Sequence, residues 1–218
     1  MQSLIPGHNN SLTIIGLLRH GRTVWNEEGR IQGRHDSPLS KSGRLEVLQW
    51  ARFLSTLQID HIIASDLGRV RETVALLQQC RKETAAVKWE PGLREQNWGR
   101  WEGLTFAELK ENQGQILEKQ IRAGWDFCPP EGESRRNLLN RVLPLVQDIA
   151  ARYRNRRILL VCHEGVIKSL IYHLAGRAFL PEEKKLLQKR QLHLLTAEND
   201  QLSLGPLNVL PAAGGKNR

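Results

Sequence analysis

The order of apolar segments along this 218-residue chain predicts an α/β fold. Short apolar runs rich in β-branched residues alternate with longer segments whose apolar residues recur at helical spacing. This alternation favours a mostly parallel sheet with helices on both faces. The length fits one domain, or one domain with an added cap. A composition of 40% hydrophobic and 25% charged residues excludes the collagen-like and disordered classes.

Four segments are predicted to be strands of the sheet, and two more to form a hairpin. The strand candidates are 13–18, 59–64, 87–90 and 158–162, of which the first two are expected to be buried. The hairpin candidates are 192–196 and 202–204, on either side of an Asn199-Asp200 turn. The segment 21–38 is rich in glycine and charge, so we expect a long loop there.

Helices are predicted between these strands from apolar spacing and from end signals. The candidates are 41–57, 68–80, 115–123, 135–153 and 165–175. Ser40 and Ser134 are predicted N-caps, and Gly176 ends the last helix. Pro144 should kink or split the helix that contains it.

One further helix start lies in the less regular middle of the chain. Thr105 and Glu108 form a T-x-x-E capping box there. We expect a short helix to begin at this box, ahead of the helix candidate at 115–123.

The net charge of +9 and the pI near 9.9 favour phosphorylated or polyanionic ligands. A nucleic-acid partner is not expected, because the concentrated basic block at 152–157 is short and lacks interleaved aromatic residues. A membrane partner is not expected either, because no apolar run approaches the ~18–20 residues of a membrane span.

The cysteines and the chain start indicate the compartment. Cys80, Cys128 and Cys162 are too few and too scattered for a disulfide scaffold, which agrees with a reducing environment. The first residues lack the basic region and the cleavage site of a signal peptide. We therefore expect a cytoplasmic protein.

Polar residues suited to phosphate chemistry follow three predicted strands. They are Arg19 and His20 after the first strand, Arg69 and Arg71 after the second, and His163 after the fourth. Ligands of open parallel sheets bind outside the carboxyl ends of the strands, so these side chains can converge in one crevice. Arginine matches phosphate geometry, and neutral histidine can form a covalent N–P bond.

Five sequence motifs resemble those of the histidine phosphatase superfamily, the phosphoglycerate mutase-like group, and they occur in that family's order. The motifs are RHGRT (19–23) with IQGR (31–34) and DSPLS (36–40), SDLGRVRETVALL (65–77), LREQNWGRWEG (93–103), PPEGES (129–134) and VCHEG (161–165). Together they cover about residues 13–176. Five motifs in order are far more specific than the first motif alone.

The resemblance implies a three-layer α/β/α sandwich around a mostly parallel sheet with one antiparallel strand. It also implies a small cap formed by inserted segments. We therefore expect a single histidine phosphatase domain over residues 1–210, with the cap insertion at about 93–134. The tail at 211–218 is expected to be disordered.

The resemblance also implies five catalytic residues. His20 would accept the phosphoryl group as a phosphohistidine, and Arg19, Arg69 and His163 would hold that group. Glu95 would protonate the leaving alkoxide and then activate water. No metal and no cofactor are implied, because arginines supply the positive charge that Mg²⁺ supplies elsewhere.

Two other carboxylates, Glu90 and Glu102, compete with Glu95 for the acid role. Glu95 is favoured because it follows Leu93-Arg94, as in relatives. Glu102 is expected to fix a loop through backbone N–H groups instead.

Seven further residues are candidates for substrate binding. They are Thr23, Asn26, Gln32, Gly33, Arg71, Glu164 and Gly165. Glu164 departs from the family, in which glycine commonly follows the second histidine. A carboxylate beside a phosphate site repels a dianion unless it points away or pairs with a cation. We expect Glu164 to meet a hydroxyl or cationic group of the substrate, or to pair with Arg94 or Lys168.

The leading functional hypothesis is a metal-independent phosphomonoester hydrolase that acts on a small phosphorylated metabolite. The first alternative is a cofactor-dependent phosphoglycerate mutase, which usually carries Arg-His-Tyr after the acid and a longer insertion. Here Gln96-Asn97-Trp98 follows Glu95. A catalytically silent binding module is the second alternative, which the presence of all five expected catalytic residues disfavours. A monomer and a homodimer both fit.

Overall fold

The computed structural model describes residues 12–81, 84–199 and 201–210. The predicted tail at 211–218, the start of the chain and Asp200 of the predicted turn lie outside these residues. Within the described ranges, no helix combines the length and the apolar character needed to cross a membrane.

Six strands of the described chain form one sheet in the order β3-β2-β4-β1-β5-β6. They are β1 (Thr13–Arg19), β2 (His61–Ala64), β3 (Ala86–Trp89), β4 (Arg157–Cys162), β5 (Leu192–Glu198) and β6 (Gln201–Leu204). The strands β1 to β4 pair in parallel, whereas β5 is antiparallel to both of its neighbours, β1 and β6. The predicted mostly parallel sheet with one antiparallel strand is therefore confirmed.

Helices cover both faces of this sheet, and further helices lie outside these two layers. The helices are α1 (Val24–Glu27), α2 (Lys41–Leu54), α3 (Gly68–Gln79), α4 (Phe106–Arg122), α5 (Arg135–Arg152) and α6 (Glu164–Leu174). Ile15 and Leu17 of β1 pack in one hydrophobic cluster with α5 and α6. Ile14 and Leu18 of the same strand pack in a second cluster with α2 and α3. Because successive side chains of a strand point to opposite faces, β1 contributes to both cores of the three-layer sandwich.

One helix prediction needs correction, and another is confirmed by a kink. The expected split of α5 at Pro144 is wrong, because α5 runs continuously through it. Val142 and Val146, on either side of Pro144, are both buried in one core cluster, so both halves of the helix pack against the same core. The two helices expected around 105–123 are confirmed as the two helical parts of α4, which meet at a kink at Gln113 (φ −140°, ψ 30°).

The segment 21–38 is not entirely loop, because it contains α1. Thr23 caps this short helix, and Asn26 completes a capping box that sequence analysis did not anticipate. The predicted capping box at Thr105 and Glu108 is confirmed at the start of α4.

A third hydrophobic cluster lies apart from the two sheet cores. Its buried members are Ile31, Trp101, Leu109, Leu117 and Phe127. All except Ile31 belong to the segment 93–134, and we propose this segment as the cap.

Candidate active site

The candidate site lies at the carboxyl ends of β2, β4 and β1, which are adjacent in the sheet. The backbone pairing continues one residue beyond these strands: His20 N donates to Cys162 O at 3.1 Å, and Ser65 N donates to Val161 O at 3.0 Å. The rings of His20 and His163 consequently lie with their centroids 5.3 Å apart. The topology therefore brings the two predicted histidines together.

The hydrogen bonds of His20 fix its tautomer. Nδ1 lies 2.8 Å from the carbonyl oxygen of Gly21, which can only accept, so Nδ1 carries the proton. Nε2 is then the unprotonated nitrogen, and it accepts from Arg69 Nε at 3.3 Å. Burial, followed by the positive charges of Arg69 and Arg19, holds the pKa of His20 well below its usual value. His20 is therefore neutral and presents a nucleophilic nitrogen.

Arg69 links the parts of the site, although its side chain is only 1% exposed. Its five N–H groups meet the carbonyl oxygens of Gly33 (2.8 Å) and His35 (2.7 Å), the Asp36 carboxylate (3.0 Å) and the ring nitrogens of His20 (3.3 Å) and His163 (3.2 Å). The guanidinium is thus fixed between the two histidines and places its positive charge beside one ring nitrogen of each.

His163 is held in the opposite tautomer. Its Nδ1 accepts from Arg69, so the proton resides on Nε2, which donates to Ser65 Oγ at 2.8 Å. Burial and then the charge of Arg69 hold the pKa of His163 well below its usual value. Ser65 was not among the predicted site residues, although its position directly after β2 could have indicated it.

Glu95 is buried against the start of α6. Its Oε2 accepts from Gly165 N at 3.1 Å and its Oε1 from Gln96 N at 2.9 Å. Burial raises the pKa of Glu95 above its usual value and outweighs these two N–H groups and the charge of Arg69. A raised pKa keeps a larger fraction of the carboxyl protonated near neutral pH, as a general acid requires.

The two competing carboxylates have other partners. Glu102 accepts from the backbone N–H groups of Arg34 (2.9 Å), His35 (3.2 Å) and Trp98 (2.9 Å), which confirms its expected role in fixing a loop. Glu90 accepts from Gly92 N at 3.2 Å and pairs with Lys88 at 3.3 Å. Glu95 is therefore the carboxyl group that best fits the acid role.

Arg19 and Glu164 form a salt bridge beside the histidines. The other oxygen of Glu164 lies 2.5 Å from Lys168 Nζ. Burial alone would raise the pKa of Glu164, but Arg19 and Lys168 lower it to about 2. The expected Lys168 pair is confirmed, whereas the Arg94 pair is wrong, because Arg94 forms a bidentate pair with Asp66 at 2.7 and 2.5 Å.

The remaining candidates on the loop after β1 have mainly local contacts. Thr23 and Asn26 bond to each other's backbone in the capping box of α1. The Gly33 carbonyl orients Arg69, and a side chain at Gly33 would overlap Glu102. Gln32 is buried, and its Oε1 has no hydrogen-bond partner among the residues that the structure describes.

Arg71 is not brought to the histidines by any contact of the described chain. It is exposed, its guanidinium lies 4.4 Å from the centroid of the Trp89 ring, and its Nε donates to Asp66 O at 2.9 Å. These contacts place Arg71 with the Arg94–Asp66 pair rather than with Arg69.

Sequence reasoning missed two residues that hold predicted site residues in place. Asp36 accepts from Arg69 N at 3.2 Å as well as from the Arg69 guanidinium. Arg141 on α5 donates to the carbonyl oxygens of Arg94 (2.8 Å) and Glu95 (3.1 Å). Asp36 lies in a quoted motif and could have been singled out, whereas nothing in the local sequence distinguishes Arg141 from a surface arginine.

Gly165→Ala should impair the placement of Glu95. A Cβ atom at Gly165 would overlap Glu95 Oε1, so the carboxyl group must move. We expect kcat/KM toward alkyl phosphates to fall roughly 10²-fold, as for other small displacements of a catalytic group. Gly114→Ala is the matched control, because nothing lies within 4 Å of that Cβ position. Equal kinetics for both variants and the parent enzyme would contradict this placement.

Positive charge at the site comes from arginine side chains. In the part of the chain that the structure describes, no group of three or more His, Cys, Asp or Glu side chains is arranged to hold a metal ion. Arg19 and Arg69 both lower the pKa values of His20 and His163, so both charges act on the same small volume.

Comparisons with known proteins agree with this geometry. A family model of the histidine phosphatase superfamily (branch 1) matches residues 15–208. A protein of Shigella dysenteriae serotype 1 named "Probable phosphoglycerate mutase GpmB" is 36% identical over 161 residues, which cover 73% of this chain and 74% of that protein.

Two solved structures are similar over most of their length. YhfR of Bacillus stearothermophilus superposes with a TM-score of 0.80 at 26% identity and covers 88% of this chain and 95% of its own. The mycobacterial glucosyl-3-phosphoglycerate phosphatase in complex with VO3 superposes with a TM-score of 0.75 at 30% identity. The match covers 89% of this chain and 98% of that structure's chain. With the family model matched from 15 to 208 and the two histidines in one crevice, this chain belongs to the histidine phosphatase superfamily.

Proposed function

We propose that the chain is a metal-independent phosphomonoester hydrolase that acts on a small phosphorylated metabolite through a phosphohistidine at His20. One observation carries the proposal: the neutral His20 presents an unprotonated Nε2 to the guanidinium of Arg69. A nucleophile and a fixed cation at this spacing are the two elements that phosphoryl transfer to nitrogen needs.

In the first step, His20 Nε2 attacks phosphorus and forms the N–P bond while the P–O bond to the leaving group breaks. Protonated Glu95 gives its proton to the leaving oxygen. Arg69 and Arg19 stabilise the charge on the non-bridging oxygens. The hydrogen bond from Arg69 Nε to His20 Nε2 gives way as the phosphoryl group takes its place.

In the second step, water attacks the phosphohistidine and the N–P bond breaks. The Glu95 carboxylate, now deprotonated, takes a proton from that water. Inorganic phosphate leaves, and His20 returns to the neutral tautomer that the Gly21 carbonyl selects.

Chelation should leave the activity unchanged. The charge on the transferred group is matched by guanidinium groups, which stay protonated at any biological pH. We expect the rate of p-nitrophenyl phosphate hydrolysis to be the same before and after dialysis against EDTA. Activity lost on dialysis and restored by a divalent cation would contradict metal independence.

A phosphoglycerate mutase is the second candidate, and the name of the Shigella relative favours it. The segment after Glu95 favours the hydrolase. Gln96 is buried and donates to Glu133 O at 2.7 Å, and Trp98 packs edge-on against Phe106 and Phe127. These side chains serve packing, and they do not place additional cations beside the acid.

Incubation with 3-phosphoglycerate, with and without 2,3-bisphosphoglycerate, separates the two candidates. The hydrolase releases inorganic phosphate from phosphomonoesters in both conditions. Rapid formation of 2-phosphoglycerate that depends on the bisphosphate, without release of phosphate, would overturn the hydrolase in favour of the mutase.

A further inference from the structure

A basic pocket adjoins the phosphoryl site on the side of α6. Its volume is about 180 Å³, and Arg19 and Glu164 form part of its wall. Arg19 directly precedes His20 and Glu164 directly follows His163, so the pocket begins beside the two histidines, whose ring centroids are 5.3 Å apart. A molecule whose phosphoryl group lies at His20 can therefore extend into the pocket.

The lining of the pocket is strongly positive. Its charged members are Arg19, Lys168, Lys185, Lys189, Arg190 and Glu164. Five cations thus face one carboxylate. The excess indicates an anionic ligand, because like charges gathered in a concave site are stabilised by an anion.

Some of these cations are already neutralised. Lys168 pairs with Glu164 at 2.5 Å, and Arg190 pairs with Glu46 at 3.1 Å. Lys185 and Lys189 form no salt bridge with any residue in the described ranges, although Lys189 helps to lower the pKa of Glu164. These two lysines are the cations available to a ligand.

Two buried polar atoms of the lining also lack a partner within the described chain. They are the Nε–H donor of Arg19 and the Oε1 acceptor of Gln191. A buried polar atom without a hydrogen bond is costly, so such atoms call for an explanation. The phosphoryl group of the proposed mechanism would satisfy Arg19 Nε–H, and a hydroxyl group of the same ligand would satisfy Gln191 Oε1.

Glu164 explains how an anion can enter beside a carboxylate. Both of its oxygens are engaged, one by Arg19 and the other by Lys168. This pairing offsets the repulsion between the Glu164 carboxylate and an anionic ligand. Lys185 and Lys189, on the loop that forms another side of the pocket, then provide the positive charge that attracts the ligand. The departure from the family glycine thus orients Arg19 and forms one side of the pocket.

We propose that this pocket is a substrate subsite for a second anionic group, so that the substrate is a phosphomonoester bearing a hydroxyl and a further carboxylate or phosphate. The inference rests on the proposed hydrolase function. The volume is below the 300–1,000 Å³ typical of pockets for drug-sized ligands, so it suits one small charged group rather than a nucleoside.

Matched substrate pairs test the subsite. In the first pair, 3-phosphoglycerate carries a carboxylate that glycerol 3-phosphate lacks. In the second pair, fructose 1,6-bisphosphate carries a phosphate that fructose 6-phosphate lacks. We expect kcat/KM to rise about tenfold or more with the second anion in one pair, the size expected of a new charge-assisted contact. The substrate pair in which kcat/KM rises identifies the anion as a carboxylate or a phosphate. A kcat/KM ratio near one in both pairs would overturn the proposal.

Three variants, each removing one positive charge, locate the effect. In the substrate pair that responds, Lys185→Ala and Lys189→Ala should each lower severalfold the ratio of kcat/KM with the second anion to kcat/KM without it. Lys184→Ala is the control, because Lys184 is exposed and lies outside the pocket lining. An equal effect of all three variants would indicate general electrostatic attraction and overturn the subsite.

Binding to the His20→Ala variant separates this proposal from the proposed function. Calorimetry should give a lower Kd for 3-phosphoglycerate than for glycerol 3-phosphate, or for fructose 1,6-bisphosphate than for fructose 6-phosphate. Adding Lys189→Ala to the His20→Ala variant should remove this difference in Kd. If no phosphomonoester is hydrolysed by the parent enzyme but this difference persists, the hydrolase function fails and the subsite stands. If hydrolysis is robust but the difference is absent, the subsite fails alone.

Discussion

Replacing His20 with alanine should lower kcat/KM by roughly 10³-fold or more on every phosphomonoester, because it removes the nucleophile. The parent enzyme mixed with a ³²P-labelled substrate and quenched rapidly should carry an acid-labile, base-stable label. The variant should carry none. The lone pair of His20 Nε2, which faces Arg69, is the atom that this experiment tests.

His173→Ala is the matched control, because that histidine is exposed on α6 and outside the site. It should retain both the label and the turnover. Circular dichroism and thermal unfolding should show that His20→Ala still folds, since the substitution removes one ring and keeps the β1–β4 pairing. Label retained in His20→Ala, on any other residue, would refute the assignment of the nucleophile.

The sheet and the core of the site were predictable because they depend on local patterns. Each apolar run ends at a polar residue, and parallel pairing then brings those residues to one edge. His20, Arg69 and His163 meet for this reason. The capping box at Thr105 was equally local, since all of its hydrogen bonds run between Thr105 and Glu108.

Other features depend on contacts between distant segments and could not be predicted. Glu164 pairs with Arg19, which is 145 residues away, whereas Arg94 pairs with Asp66. The position of Arg71 over Trp89 depends likewise on the β2–β3 pairing. The continuity of α5 at Pro144 depends on core packing rather than on local propensity.

Replacing Glu95 with glutamine should slow the reaction according to the leaving group. An alkoxide must be protonated as it departs, so kcat/KM for an alkyl phosphate should fall roughly 10²–10⁴-fold, the usual contribution of a general acid. The p-nitrophenolate ion leaves without that proton, so p-nitrophenyl phosphate should lose less than about tenfold. We use kcat/KM because it reports formation of the phosphohistidine and excludes the later attack by water.

The pH profile gives an independent test of the same group. Glu95 must be protonated to act, and its pKa is raised, so kcat/KM on an alkyl phosphate should fall as pH rises through that raised pKa. His20 must be neutral, and its pKa is lowered, so the activity should fall on the acid side only as pH drops through that lowered value. Glu95→Gln should remove the alkaline limb and keep the acid limb.

The contrast between substrates distinguishes loss of the acid from damage to the fold. Both Glu95 oxygens accept from backbone N–H groups, so the glutamine amide must turn one N–H toward a donor. Some loss of stability, on the order of 1–3 kcal/mol, is therefore expected. That loss affects both substrates equally, whereas loss of the acid affects mainly the alkyl phosphate. Glu118→Gln, an exposed carboxylate on α4, controls for the change of charge. Equal losses on the aryl and alkyl substrates with an intact alkaline limb would mean that another group protonates the leaving oxygen and that Glu95 only positions the start of α6.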